Sequence, residues 1–204
     1  MTGAFQFPTN ELPALLVATS FAAGLNVYAT VATLGLLAHA GVVGLPPGLQ
    51  VVSSWYVIAA SLALFCVEFF ADKIPAFDLI WNALHTFVRV PVAALVAWRA
   101  TAQLSAGEQL LAATAGGLIA LAAHGGKTAV RAAVTPSPEP ISNISLSFGE
   151  DVIAIGLTWF ATRHPYIAAL AVVWLLIVII VAVRWVVRAL RALFRGAEKQ
   201  VMTS

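Results

Sequence analysis

The chain has very few charged residues for its length. Only 10% of its 204 residues are Asp, Glu, Lys or Arg, whereas about 25% is usual in a soluble domain. Hydrophobic residues make up 61% of the chain, and the mean hydropathy is +0.93. So few charges cannot cover a surface that faces water, so the composition excludes an ordinary soluble domain and predicts that lipid surrounds most of the protein.

Cysteines and catalytic motifs are equally scarce. Cys66 is the only cysteine, which excludes a disulfide framework and a cysteine-rich metal site. The sequence contains no Gly-x-Ser-x-Gly elbow, no Walker loop and no His-Glu-x-x-His motif. We therefore expect neither an enzyme nor a bound cofactor. The net charge of +2 gives no reason to expect a nucleic-acid partner.

Long apolar segments replace the missing charges. A helix needs about 20 apolar residues to cross a bilayer core of about 30 Å. Unbroken apolar runs such as Tyr166–Val183 exclude the alternating pattern of a membrane barrel. The sequence therefore predicts an all-α integral membrane protein with about six transmembrane helices. They are expected at residues 11–40, 51–72, 78–100, 106–132, 144–162 and 165–193.

The distribution of basic residues predicts the orientation. We expect a single transmembrane domain over residues 1–193 and a short basic cytoplasmic tail over 194–204. Six crossings would place both termini on one side, which would then carry most of the Lys and Arg residues. The positive-inside rule makes that side cytoplasmic, in the inner (plasma) membrane of the cell. The last helix has a basic face for anionic lipid headgroups, formed by Arg184, Arg188, Arg191 and Arg195.

The two halves of the chain share a short similarity. Residues 15–19 (Leu-Leu-Val-Ala-Thr) resemble residues 110–114 (Leu-Leu-Ala-Ala-Thr), and each half carries a pair of acids in a later span. Three spans per half would make the repeats inverted, an arrangement that transporters use to place a site near the membrane midplane. Two inverted three-helix repeats are therefore an open alternative within the six-span fold.

Polar residues recur at helical spacing inside the apolar segments. Because a charge at mid-bilayer costs at least about 2.5 to 3.5 kcal/mol, such residues should face one another and not lipid. The stripes comprise Asn26 in the first segment, Glu68, Asp72 and Lys73 at the end of the second, Asp78, His85 and Arg89 in the third, His124, Lys127 and Arg131 in the fourth, and Glu150 and Asp151 in the fifth.

Carboxylates one helical turn apart can bind a cation or carry a proton. Their oxygens suit hard cations, so Glu68 and Asp72 are candidate metal ligands. The predicted ion-binding set is Glu68, Asp72, Asp78, Glu150, Asp151 and Asn26. Charge tuning or a proton relay is predicted for Lys73, His85, Arg89, His124, Lys127 and Arg131. The predicted function is transport of a small solute, above all a divalent metal ion or a cation coupled to protons.

Two other functions fit the same stripes. The charges could form a headgroup groove in a scramblase or flippase for a phosphate-bearing lipid, since arginine matches phosphate geometry. They could equally form an interhelical network that fixes helix register in an accessory membrane protein without transport. Bilayer lipids and a small ion or solute are the expected partners, and assembly into a homo-oligomer is left open.

Three short runs carry a family resemblance. Residues 68–78 (Glu-Phe-Phe-Ala-Asp-Lys-Ile-Pro-Ala-Phe-Asp), 24–28 (Gly-Leu-Asn-Val-Tyr) and 147–151 (Ser-Phe-Gly-Glu-Asp) resemble the bacterial membrane family catalogued as domain of unknown function 4126. This resemblance implies a multi-pass membrane fold and no particular activity. The run from Glu68 to Lys73 is also similar to the Glu-x-Gly-Asp-Lys motif of Gdt-type manganese and calcium exchangers, but it is one residue longer. That second likeness implies cation transport by two inverted three-span repeats.

Overall fold

Helices account for almost all of the secondary structure. The computed structural model describes residues 5–6, 10–73, 75–134 and 140–202. A short 3-10 helix (Pro47–Ser53) precedes the third α-helix, and strand β1 (Phe5–Gln6) pairs in parallel with β2 (Val43–Gly44). The helices are α1 (Leu12–Leu25), α2 (Val27–His39), α3 (Trp55–Ala71), α4 (Pro75–Ala100), α5 (Ala106–Val134), α6 (Pro140–Arg163) and α7 (Pro165–Met202). The predicted all-α class is confirmed.

Three helices in the described residues are long and apolar enough to cross a membrane. They lie in α5, α6 and α7, over Ala106–Arg131, Ile144–Arg163 and Pro165–Trp185. The 3-10 helix and α3 qualify together as a fourth crossing, bent by 63° between them. The structure therefore supports three to four candidate crossings. It does not confirm six, nor does it confirm inverted repeats.

The first predicted span, residues 11–40, is two helices and not one. Asn26 separates α1 from α2 and has an extended backbone, with φ −150° and ψ 103°. Its side chain caps α2, because Oδ1 accepts a hydrogen bond from the backbone N–H of Ala29 at 2.9 Å. Thirty residues exceed what one crossing needs, and a polar residue near the middle of the segment ends one helix and starts the next.

Helix α1 lies at the centre of the protein. Nearly all of its residues are buried, and it packs against α4, α5, α6 and α7. Gly24 allows the close approach to α5, since a Cβ there would lie 2.4 Å from the carbonyl oxygen of Ala120. Large apolar side chains of the surrounding helices point outward, as lipid contact requires, among them Leu110, Leu118, Leu170 and Trp174.

Helix α7 is longer than a bilayer. At 1.5 Å per residue, its 38 residues extend about 57 Å, against about 30 Å for the hydrocarbon core. Arg184, Arg188 and Arg191 are exposed where the helix passes the end of its apolar part. The side chain of Arg195 lies outside the described residues. The predicted tail at 194–204 begins as a continuation of α7, since the helix extends to Met202.

Candidate functional site

A cluster of buried charges lies where α3, α4, α5 and α6 meet the break between α1 and α2. Each of its side chains belongs to a residue that is at most 9% exposed. We call it the buried charge cluster, and it consists of Glu68, Asp72, Arg89, Lys127, Arg131, Glu150 and Asp151. All seven were predicted as site residues, and the helical stripes that carry them do face one another.

An ion pair joins α3 to α4 on one side of the cluster. The guanidinium of Arg89 donates from Nη2 to Oε1 of Glu68, and both side chains are completely buried. Nη1 of Arg89 lies 2.7 Å from Nδ1 of His124. A guanidinium can only donate, so Nδ1 of His124 accepts. Its Nε2–H then donates to the hydroxyl of Thr86 at 2.8 Å, which fixes His124 as a neutral imidazole.

Two acids and two bases form a closed ring in the middle of the cluster. Nζ of Lys127 lies 3.2 Å from Oδ2 of Asp72 and 3.0 Å from Oε2 of Glu150. Nη2 of Arg131 contacts the same two oxygens, at 3.1 and 2.5 Å. A second bond runs from Nε of Arg131 to Oε1 of Glu150 at 3.1 Å. Each of the four charged groups contacts two groups of opposite charge, and these contacts offset the free-energy cost of removing all four from water.

The break between α1 and α2 joins this ring to a backbone carbonyl group. In a continuous helix the N–H of Ala29 would donate to the carbonyl oxygen of Leu25, but here it donates to Asn26. The carbonyl oxygen of Leu25 instead accepts from Nζ of Lys127 at 3.4 Å. Nδ2 of Asn26 donates to Oδ1 of Asp151 at 2.8 Å. Asn26 therefore caps α2 and binds the cluster at the same time.

Several oxygens of the cluster are left without a hydrogen bond among the described residues. They are Oε2 of Glu68, Oδ1 of Asp72 and Oδ2 of Asp151, all buried. Buried polar atoms usually have a partner, so three such oxygens in one cluster are unusual. Each of these carboxylates thus uses one oxygen to bind the protein and keeps the other available.

His85 lies in a separate polar contact between α4 and α2. Its Nδ1 donates to the carbonyl oxygen of Trp81 at 2.8 Å, and its Nε2 lies 3.1 Å from the hydroxyl of Tyr28. The Trp81 ring stacks on the imidazole, with centroids 4.2 Å apart. His85 and His124 thus have different hydrogen-bond partners. The predicted proton relay through both remains a prediction.

Lys73 lies at the end of α3, beside the cluster. Its Nζ donates to the carbonyl oxygen of Phe69 at 2.7 Å and lies over the Phe69 ring. Burial lowers the pKa of the Lys73 ammonium below its ordinary value, and the carboxylates of Asp151 and Asp72 oppose part of that shift. The side chain of Asp78, the remaining predicted ligand, lies outside the described residues.

The two predicted metal ligands have separate partners. Glu68 binds Arg89, whereas Asp72 binds Lys127 and Arg131. Within the part of the chain that the structure describes, no three His, Cys, Asp or Glu side chains come together as a metal site would require. The carboxylates are instead arranged around the basic side chains of Arg89, Lys127 and Arg131.

Sequence reasoning missed the backbone carbonyl group that contacts the cluster and the hydroxyl partners of the two histidines on α4 and α5. The carbonyl oxygen of Leu25 and the side chains of Tyr28 and Thr86 were not among the predicted site residues. Spacing could have indicated Thr86, which lies three residues before Arg89. The role of Leu25 depends on the helix break, for which the polar Asn26 next to Gly24 was the available signal.

Comparison with known proteins gives a family and nothing more specific. The chain matches the family described as Domain of unknown function (DUF4126) over residues 14–185. No curated protein and no solved structure matches it. The matched region contains every residue of the buried charge cluster and most of each helix. The protein belongs to this family, as the runs around Glu68, Asn26 and Glu150 predicted, whereas the likeness to Gdt-type exchangers is unconfirmed.

Proposed function

We propose that the protein carries a small cation across the membrane, with protons as the coupled species, by way of the buried charge cluster. One observation carries the proposal: the helix break at Asn26 lies against the buried charge cluster, where the freed carbonyl oxygen of Leu25 accepts from Lys127 and the side chain of Asn26 donates to Asp151. Interrupted helices inside a membrane are tolerated only where they line a cavity or are buried in protein, and transporters use them as ion sites.

The unused oxygens of the acids supply the binding capacity. Glu68, Asp72 and Asp151 each have one buried oxygen without a hydrogen bond among the described residues. A cation or a proton could bind such an oxygen. A protonated carboxylic acid is neutral, so it binds a cation more weakly than the carboxylate does. Competition of this kind couples the two species, because release of a proton makes the carboxylate available to the cation.

The burial of the cluster favours ion transport over lipid scrambling. A headgroup groove would have to open toward lipid, whereas Glu68 and Arg89 are 0% exposed and Asp72 is 1% exposed. A small ion can reach such groups through a narrow path that opens transiently, but a phospholipid headgroup cannot. In an accessory protein, the ring of ion pairs would be enough to fix the helix register. The carboxylate oxygens that have no hydrogen bond among the described residues would then have no function.

We also propose six crossings, with α4 and the broken pair α1 and α2 completing the set. Helix α4 has 26 residues, about 39 Å at 1.5 Å per residue, which is enough to span the hydrocarbon core. Arg89, the charged residue nearest the middle of α4, is fully buried against Glu68 and is therefore not in contact with lipid. If the two halves are inverted repeats, Glu68 and Asp72 in the first half correspond to Glu150 and Asp151 in the second half.

The test is ion flux into liposomes that contain the purified protein. Uptake would be measured for Na⁺, K⁺, Mg²⁺, Ca²⁺ and Mn²⁺, with and without a pH gradient, and compared with protein-free liposomes. We expect uptake of at least one cation, and we expect a pH gradient to change its rate. Absence of flux for every ion from well-folded protein would contradict the proposal. A parallel assay with fluorescent phospholipids would then decide between scrambling and an accessory role.

A further inference from the structure

We infer that the ammonium group of Lys127 occupies a binding site for a monovalent cation, and that Lys127 and the free cation exclude each other there. The inference deepens the proposed function, because it identifies the cation class and the residue that competes with it. Binding at the site can be tested separately from transport. The two ideas can therefore fail independently.

The surroundings of Lys127 resemble those of a bound cation. Its Nζ has oxygen neighbours from three separate segments of the chain: Oδ2 of Asp72 at 3.2 Å, Oε2 of Glu150 at 3.0 Å and the carbonyl oxygen of Leu25 at 3.4 Å. The side chain of Lys127 is only 1% exposed. Transporters hold Na⁺ with backbone carbonyl oxygens from an unwound helix, as the carbonyl oxygen of Leu25 is here.

The site offers more oxygens than an ammonium can use. A lysine ammonium has three N–H donors, and three oxygens already surround it. Oδ1 of Asp72 is buried and has no hydrogen-bond partner among the described residues, although the other oxygen of the same carboxylate contacts Lys127. A spherical cation has no fixed number of ligands, so it could bind both oxygens of Asp72.

The charge of the Lys127 ammonium favours a monovalent ion as its replacement. Asp72 and Glu150 contribute two negative charges, and Lys127 and Arg131 contribute two positive charges. Withdrawal of Lys127 leaves the ring with one net negative charge, since Arg131 keeps its contacts. A cation of charge +1 restores the net charge that these four side chains have when Lys127 is in place.

Removal of the lysine side chain tests the inference. The Lys127→Ala variant would be purified in detergent and its unfolding temperature measured in NaCl, KCl, methylammonium chloride and MgCl₂. Choline chloride at equal ionic strength would correct for general salt effects. We expect the variant to be stabilised saturably by at least one alkali cation, by about 5 to 10 °C at a hundred times the dissociation constant. The wild type should show little response, because its own ammonium fills the site.

Two further variants serve as controls. Arg99→Ala removes an exposed basic side chain that is not in the buried charge cluster, and it should behave as the wild type does. Lys127→Ala combined with Asp72→Asn removes the acid as well, and it should lose the cation response. If Lys127→Ala folds but responds no more than this double variant, or responds to MgCl₂ at lower concentrations than to NaCl or KCl, the inference is wrong.

A folding failure would also be informative. If Lys127→Ala is recovered folded in NaCl or KCl but not in choline chloride, the cation replaces the ammonium as inferred. If neither Lys127→Ala nor Lys127→Gln folds in any of these salts, no monovalent cation can take the place of Lys127, and the inference is overturned. Cation binding without flux would contradict the proposed function alone, and flux without binding to Lys127→Ala would contradict this inference alone.

Discussion

The buried ion pair between Glu68 and Arg89 leads to a quantitative stability prediction. Both side chains are 0% exposed, and the guanidinium also donates to His124. Substitution of Arg89 by Met keeps a long apolar side chain but leaves the carboxylate of Glu68 without its counter-charge. Breaking a buried pair in this way costs about 3 to 5 kcal/mol. At about 2 to 4 °C per kcal/mol for a chain of this size, the unfolding temperature should fall by roughly 6 to 20 °C.

A double variant separates the pair from its individual charges. Glu68→Gln combined with Arg89→Met removes both charges together, and replacement of a whole buried pair by neutral groups is often close to neutral. We therefore expect the double variant to unfold at a higher temperature than Arg89→Met alone. Arg99→Met is the matched control, because Arg99 is an exposed arginine on the same helix and its removal should change stability by less than about 0.5 kcal/mol.

The assay is thermal unfolding of purified protein in detergent, followed by the fluorescence of the six tryptophans. A loss for Arg89→Met no larger than the loss for Arg99→Met would refute the reasoning. So would a double variant whose loss equals the sum of the two single losses, since no coupling between Glu68 and Arg89 would then exist.

Two further predictions concern the helix break and the helix contact beside it. Asn26→Ala removes the cap of α2 and the hydrogen bond to Asp151; it should cost more than the roughly 1 kcal/mol of a cap alone, and a smaller loss in thermal unfolding would contradict this role. Gly24→Ala places a Cβ 2.4 Å from the carbonyl oxygen of Ala120, so it should destabilise by about 1 to 3 kcal/mol. Gly125→Ala has open space and is the control; equal unfolding temperatures would refute the predicted contact.

The class of fold could be predicted from the sequence because it follows from composition and helical period. Low charge and long apolar runs require lipid-exposed helices. Helices α4 to α6 begin and end near the predicted boundaries, and α7 begins at the predicted residue but extends beyond 193 to Met202. The seven residues of the buried charge cluster were also predictable, since a charge inside an apolar helix is stable only beside a partner. Their spacing placed each one on a single helical face.

The division of the first span was not predicted, for a physical reason. Residues 12–39 are apolar enough to form one helix, and whether such a helix continues past Asn26 depends on contacts from distant parts of the chain. Asp151 binds the amide of Asn26, and Lys127 binds the carbonyl oxygen that the break exposes. These partners lie more than 100 residues away in the sequence. The only local indication of the break is therefore the polar residue Asn26.

The sequence also could not predict which acid of the cluster pairs with which basic residue. Four acids and three bases allow many combinations, and spacing along each helix does not determine which helices are neighbours. The structure pairs Glu68 with Arg89 and places Asp72 in the ring with Lys127, although these two acids lie one turn apart on the same helix. Their separation depends on the positions of α4, which carries Arg89, and of α5, which carries Lys127.

The most direct test of the account is cation uptake by liposomes that contain site variants of the protein. Asp72→Asn keeps the shape of the side chain but removes the charge that the ring and the cation would share. Glu108→Gln is the control, because Glu108 is exposed and bonds only to Ser105 among the described residues. The account predicts that Asp72→Asn abolishes the uptake seen with wild type while Glu108→Gln retains it. Equal uptake by folded Asp72→Asn and wild type would contradict the claim that the cation passes through the buried charge cluster.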